Sequence, residues 1–163
     1  MPLTRQYLRY ASKSSFGLIS SAKGGIVSLS DKNLVASATA ENVTIFNLKT
    51  GERITELKTE NHGEVTALAK HPKNESLAVG FNDGTIKLYN ETDSQSFDSE
   101  ENIVFNGHKS AITSLVYDLE GHRLASGSRD TNIIVWDVVN ECGLFRLKGH
   151  KGPPNPHPNP YWP

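Results

Sequence analysis

Apolar residues along the chain fall into short runs of strand length, separated by polar or glycine-containing breaks. Residues 112–117 mix β-branched and apolar side chains over one strand, and Gly121 and His122 then turn the chain. Residues 124–127 (Leu, Ala, Ser, Gly) read as a strand of small residues. Arg129, Asp130, Thr131 and Asn132 turn the chain again, with polar side chains suited to bonding their own backbone. Residues 133–136 (Ile, Ile, Val, Trp) read as a third strand, too apolar for an exposed edge. Residues 144–147 (Leu, Phe, Arg, Leu) form a fourth after Gly143, and no stretch shows helical periodicity.

The pattern repeats. Residues 77–90 lie under 124–137 at an offset of 47 without a gap, and 65–68 lie under 112–115 at the same offset. A weaker copy sets 34–37 and 43–47 over 77–80 and 86–90 at an offset of 43. Gly107-His108 returns as Gly149-His150, 42 residues later. Four short strands per period of 42–47 residues is the blade pattern of a β-propeller, so the expected fold class is all-β. The expected organisation is an N-terminal arm (1–14), three blades (about 15–58, 59–104 and 105–150) and a Pro-rich C-terminal tail (151–163). Such rings close with roughly 4–8 blades, so three make an incomplete propeller.

Composition narrows the function. The chain has 163 residues and a formal net charge of −1, unlike the strongly basic balance of a bulk nucleic-acid binder. Charge is nevertheless segregated. Residues 1–30 carry Arg5, Arg9, Lys13 and Lys23 and no acid, whereas 91–101 carry Glu91, Asp93, Asp98, Glu100 and Glu101 and no base. Both read as solvated surface, and the segment from Glu91 to Asn102 reads as an excursion between the third and fourth strands of the second blade. A single cysteine, Cys142, excludes an internal disulfide framework and fits a reducing compartment. It is expected in a turn beside Glu141, as an inert thiol. No apolar run approaches the ~20 residues of a membrane span, and no secretory h-region is seen.

Gly107-His108, residues 124–130 and Trp136-Asp137 together resemble a well-formed WD40 repeat. The second copy is degenerate, with His62-Gly63 inverted, Val79 for Ser126, and Tyr89-Asn90 for Trp136-Asp137, but it keeps Asp83 as a turn residue. The first keeps only its hydrophobic frame, with Ala40 placed where Asp130 would stand. His108, Ser126 and Asp130 are the residue types of a serine hydrolase. The WD40 resemblance implies instead that they and Trp136 form a buried structural chain: Asp130 to His108, His108 to Ser126, Ser126 to the Trp136 indole. A buried chain of that kind satisfies its own polar groups. Ser126 also lacks a Gly-x-Ser-x-Gly elbow.

No catalytic, metal-binding or cofactor-binding residue is therefore expected. His108, His122 and His150 lack partners at metal-ligand spacing, and residues 21–25 form a turn, not a phosphate cradle.

Residues 6–10, 104–113, 130–141 and 143–151 go beyond generic WD40 positions. They resemble the N-terminal end of the U3 small-nucleolar-RNA-associated protein twelve family, also called the WD repeat-containing protein three family. That resemblance implies a scaffold of the small-subunit processome in the nucleolus, in a UTP-B-like assembly of U3 snoRNP proteins. Pre-rRNA or snoRNA would be met mainly through the complex, with no membrane and no small-molecule substrate. The other reading is a generic WD-repeat adaptor, such as a ubiquitin-ligase substrate receptor. After Lys151 the pattern departs: prolines take 6 of positions 151–163, where a further blade is expected. This predicts a truncated or altered reading of a longer chain.

Overall fold

The computed structural model describes residues 20–29, 33–57, 59, 62–74, 76–90 and 103–149. The N-terminal arm, the acidic segment 91–101, His150 and the Pro-rich tail lie outside these residues.

Twelve strands and no helix are present among the described residues. The first sheet contains β1 (Ile26–Leu29), β2 (Leu34–Thr39), β3 (Asn42–Asn47) and β4 (Arg53–Leu57). The second contains β5 (Val65–Lys70), β6 (Leu77–Phe81), β7 (Ile86–Tyr89) and β8 (Ile103–Phe105). The third contains β9 (Ile112–Tyr117), β10 (Arg123–Ser128), β11 (Ile133–Asp137) and β12 (Cys142–Leu147). Each sheet is an antiparallel meander in chain order. Strands this short cannot bury their apolar faces alone, so each sheet packs on the next.

The core consists of the two interfaces between blades. Leu29, Ala36, Ala38, Val43, Ile45 and Leu57 of the first blade meet Val65, Leu77, Val79, Phe81 and Tyr89 of the second. Ala67, Ala69, Ala78, Ile86, Leu88 and Phe105 of the second meet Ile112, Leu115, Leu124, Ile134 and Trp136 of the third. The small residues of β6 are needed for this approach. A Cβ on Gly80 would stand 2.8 Å from Ile112 Cγ2 on the facing blade.

Two expectations need correction. Cys142 opens β12 and is exposed, because the preceding turn closes at Glu141, which takes a positive φ. The ungapped offset also fails within the first copy. Gly80 pairs with Ile86, and Gly127 with Ile133, at matching positions. In the first blade Val43 pairs with Ala38, not Ser37. The β2–β3 turn is one residue shorter there, so β2 slips by one. Ala36 and Ala38 then face the second blade, and Ser37 and Phe46 take the places held by Ser126 and Trp136 in the third. Ala40 therefore does not stand where Asp130 does.

Candidate functional site

The third blade brings together His108, Ser126, Asp130 and Trp136. His108 lies on the connection from β8 to β9, Ser126 in mid-β10, Asp130 in the β10–β11 turn and Trp136 on β11. The His108 Nδ1 stands 3.2 and 3.1 Å from the two Asp130 carboxylate oxygens. Its Nε2 is 2.8 Å from Ser126 Oγ. The Trp136 indole N–H donates to the same Oγ at 2.8 Å. The carboxylate also accepts the amides of Lys109 and Asn132, each at 3.0 Å.

One proton arrangement satisfies every member. Nδ1–H donates to Asp130, the Nε2 lone pair accepts the Ser126 hydroxyl proton, and the serine oxygen accepts the indole N–H. It requires a neutral ring. Burial pushes the His108 imidazole below its ordinary value, against the pull of Asp130, which supplies that state at pH 7. Burial pushes the Asp130 carboxyl up, but the Lys109 and Asn132 amides and the His108 ring outweigh it and hold it at about 2. Gly107 completes the arrangement: a Cβ there would stand 2.7 Å from Trp136 Cη2, so this packing requires glycine before the histidine.

Serine, histidine and aspartate thus stand in the order used by hydrolases. Ser126 is nevertheless 0% exposed, and its oxygen is enclosed by the indole N–H, the imidazole and the Ile134 carbonyl at 3.3 Å. A substrate carbonyl has no approach to it.

The second blade retains part of this arrangement. His62 sits one residue later than the repeat predicts, yet its Nδ1 reaches Asp83 at 3.1 Å. Asp83 also accepts the Thr85 amide at 2.8 Å, so the acid still fastens its turn. Val79 replaces the serine, and the chain into the core ends there. In the first blade Ser37 Oγ is buried without a partner among the described residues, because Phe46 offers no N–H.

A second buried histidine carried no motif. His71 bridges the second and third blades. Its Nδ1 accepts the amides of Lys73 and Asn74, at 3.2 and 3.0 Å, so Nε2–H donates to the Gly121 carbonyl at 3.2 Å. Its ring stands edge-on to Tyr117, and Lys73 pairs with Glu120 alongside. The usable sequence signal was a histidine closing an apolar strand before Pro72, with its partner 50 residues away. No group of three or more His, Cys, Asp or Glu residues suited to a metal ion occurs among the described residues.

Consecutive four-stranded meanders, stacked face to face and carrying a Gly-His/Asp/Trp network, define an arc of a WD40-type β-propeller. The chain belongs to the β-propeller family described as the IFT140 first beta-propeller, whose model matches residues 27–147. It is 50% identical over 93 residues to WD repeat-containing protein 3 of Mus musculus, covering 55% of this chain and 10% of the relative. It is 34% identical over 145 residues to U3 small nucleolar RNA-associated protein 12 of Saccharomyces cerevisiae, covering 77% of this chain and 15% of the relative. The chain therefore spans 10–15% of the length of these relatives. A solved structure titled "Structure of U3-55K" superposes with a TM-score of 0.68 at 22% identity, over 78% of this chain and 39% of that one, a likeness of fold.

Proposed function

We propose that the chain is a non-catalytic interaction scaffold in a U3-small-nucleolar-RNA-associated assembly, acting in pre-rRNA processing and small-subunit ribosome biogenesis in the nucleolus. The observation that carries this reading is the 34% identity, over 77% of this chain, to a U3 small nucleolar RNA-associated protein. The site chemistry supports it. The hydrolase-type residues are closed inside the third blade, with Ser126 inaccessible. In this reading His108, Ser126, Asp130 and Trp136 fix turn to sheet, and Asp83 with His62 does the same more weakly. The partners are protein subunits of a U3 snoRNP, in a UTP-B-like arrangement, and RNA is met through them. A net charge of −1 agrees with indirect RNA contact.

The test is affinity purification of the tagged 163-residue chain from cells, with U3 small nucleolar RNA and pre-rRNA quantified in the eluate. Enrichment of both over a tagged control is the expected result. Recovery of protein partners without either RNA would overturn the assignment and favour a general WD-repeat adaptor.

A further inference from the structure

The third blade differs from its neighbours at one end, where β9 turns into β10 and β11 turns into β12. The frame of both turns is shared. Asp137 Oδ1 accepts the Val139 and Asn140 amides at 3.0 and 2.9 Å, as Asn47 Oδ1 accepts those of Lys49 and Thr50 in the first blade at 2.8 and 3.3 Å. The Asp118 amide donates to the Arg123 carbonyl at 3.0 Å, as the His71 amide in the second blade donates to that of Ser76 at 2.9 Å. The side chains at the tips are not shared. Val139 stands where the first blade has Lys49, and Leu119 and Glu120 stand where the second has Pro72 and Lys73.

These tips are apolar and open to solvent: Leu119 is 76% exposed and Val139 is 69% exposed. Both lie beyond the end of a strand, past Tyr117 and Asp137, and not on a face that stacks against a neighbouring sheet. Between the two turns is a cleft of about 340 Å³. Val139 lines it, and so do Asp118 and Glu120 on either side of Leu119. The surroundings are acidic. Asp118, Glu120, Asp137 and Glu141 stand against Arg123 and against Lys73, which reaches Glu120 from the second blade. The Asn140 amide holds the Asp137 carboxyl below its ordinary value, and Lys73 does the same for Glu120, so both are charged at neutral pH. The His71 bond to the Gly121 carbonyl ties the first turn to the second blade, so the cleft is preformed.

Resting on the scaffold reading above, we infer that this end of the third blade docks a protein partner through a segment that carries arginine or lysine beside an aliphatic side chain. Exposed aliphatic side chains framing a cleft mark an interaction surface, and charge selects what fills it. An excess of carboxylates attracts guanidinium or ammonium groups and repels phosphate, so the occupant is a basic protein segment and not RNA. The aliphatic part of that segment covers Val139 and Leu119, and its cations meet Asp118 and Asp137. The corresponding ends of the other blades lack this combination, because Lys49 and Lys73 place positive charge where the third blade has valine and glutamate.

The test is fluorescence anisotropy with the full 163-residue chain and three labelled peptides, built on alternating Leu and Arg, Leu and Glu, or Ser and Arg. The Leu/Arg peptide should bind, the Leu/Glu peptide should not, and the Ser/Arg peptide should bind about tenfold more weakly than the first. Val139→Lys with Leu119→Ser should weaken Leu/Arg binding by about tenfold or more and leave the unfolding midpoint unchanged, since both side chains are exposed. Val139→Thr keeps the shape of the tip without its apolar surface and should weaken binding by a smaller factor. Equal affinity for the Ser/Arg peptide would reduce the effect to bulk charge attraction and overturn the inference. Unchanged binding in the variants would place the peptide elsewhere and do the same. Binding of labelled single-stranded RNA that the paired change removes would assign the cleft to nucleic acid, and self-association that it removes would assign the cleft to a second copy; either would overturn the inference. No U3 RNA enters these measurements, so their failure is separate from a failure to recover U3 RNA with the tagged chain.

Discussion

The first and third blades place a serine at the same point of their second strand, with opposite consequences. Ser126 lies between an imidazole and an indole N–H, all within hydrogen-bond reach. Ser37 is equally buried, but faces a phenylalanine and has no partner among the described residues. A buried hydroxyl stabilises only as part of a satisfied network; alone it carries the cost of desolvation. The contrast shows that the WD40 pattern combines two separable parts. One is an apolar frame that all three blades share. The other is a polar fastening, complete in the third blade, partial in the second and lacking its donor in the first.

The largest effect is expected where the two parts meet. Trp136 belongs to the apolar interface with blade two, stacks on Phe105 with ring centroids 4.9 Å apart, and donates to Ser126. Trp136→Ala should destabilise the chain by about 3–5 kcal/mol, as other large-to-small core changes do. Denaturant unfolding of purified protein measures it. Unchanged stability together with lost partner binding would move Trp136 from the core to a binding face.

The serine comparison itself can be broken next. Ser126→Ala leaves His108 Nε2 without its donor and the Trp136 N–H without its acceptor, and should cost about 1–3 kcal/mol. Ser37→Ala removes an unpaired buried oxygen and should be neutral or stabilising. Equal losses at the two sites would mean that Ser37 has found a donor, and the contrast between the blades would fall.

Much of this was legible in the sequence. Blades two and three align without a gap because their strands carry large side chains on defined faces, from Leu77 and Leu124 to Tyr89 and Trp136. The Gly-His, Asp and Trp spacing marked the four residues that the third blade brings together. The first blade was harder. Val35, Ala36, Ser37 and Ala38 are small on both faces, so nothing in the local pattern resists a one-residue slip, and a slip inverts every side chain. The sequence pattern therefore aligns Ala40 with Asp130 and hides the equivalence of Ser37 with Ser126. His71 escaped because its contact spans 50 residues between blades. The first clear alternation begins at Leu144, so the local pattern puts Cys142 in the turn although the strand starts at Cys142 itself.

Acid should separate the same two blades. The fold lowers the His108 pKa below its ordinary 6.5, so the ring contributes stability that is present above 6.5 and lost as pH falls below it. Asp130 is held at about 2 against an ordinary 3.8, so its contribution is present above 3.8 and lost between 3.8 and about 2. A shift of that size corresponds to about 2 kcal/mol, and the side chain is only 8% exposed. The first blade contains no histidine. Amide exchange, corrected for its intrinsic pH dependence, should show β10 and β11 losing protection between pH 7 and 5 while β2 and β3 hold. Parallel loss in both blades would assign the acid sensitivity elsewhere.

The smallest expected effect lies in the turn between the second and third strands, at the position where blade two has glycine and blade three has threonine. Gly84 and Thr131 are equivalent, and both take a positive φ, +96° and +65°. Glycine enters this region freely, whereas a β-branched residue is strained there. Thr131 holds the conformation because the turn around it is fastened: Asp130 accepts the Asn132 amide, and the Thr131 amide donates to the Ser128 carbonyl at 3.1 Å. Thr131→Gly should relieve that strain and raise stability by about 0.5–1 kcal/mol, after the greater chain entropy of glycine in the unfolded state is subtracted. The reverse change is not its mirror image. A Cβ on Gly84 would stand 2.8 Å from the His108 carbonyl oxygen of the neighbouring blade, so Gly84→Thr adds a clash between blades to the strain within the turn. Thermal unfolding of both variants decides the matter. A destabilised Thr131→Gly would show that the threonine side chain makes a contact worth more than its strain.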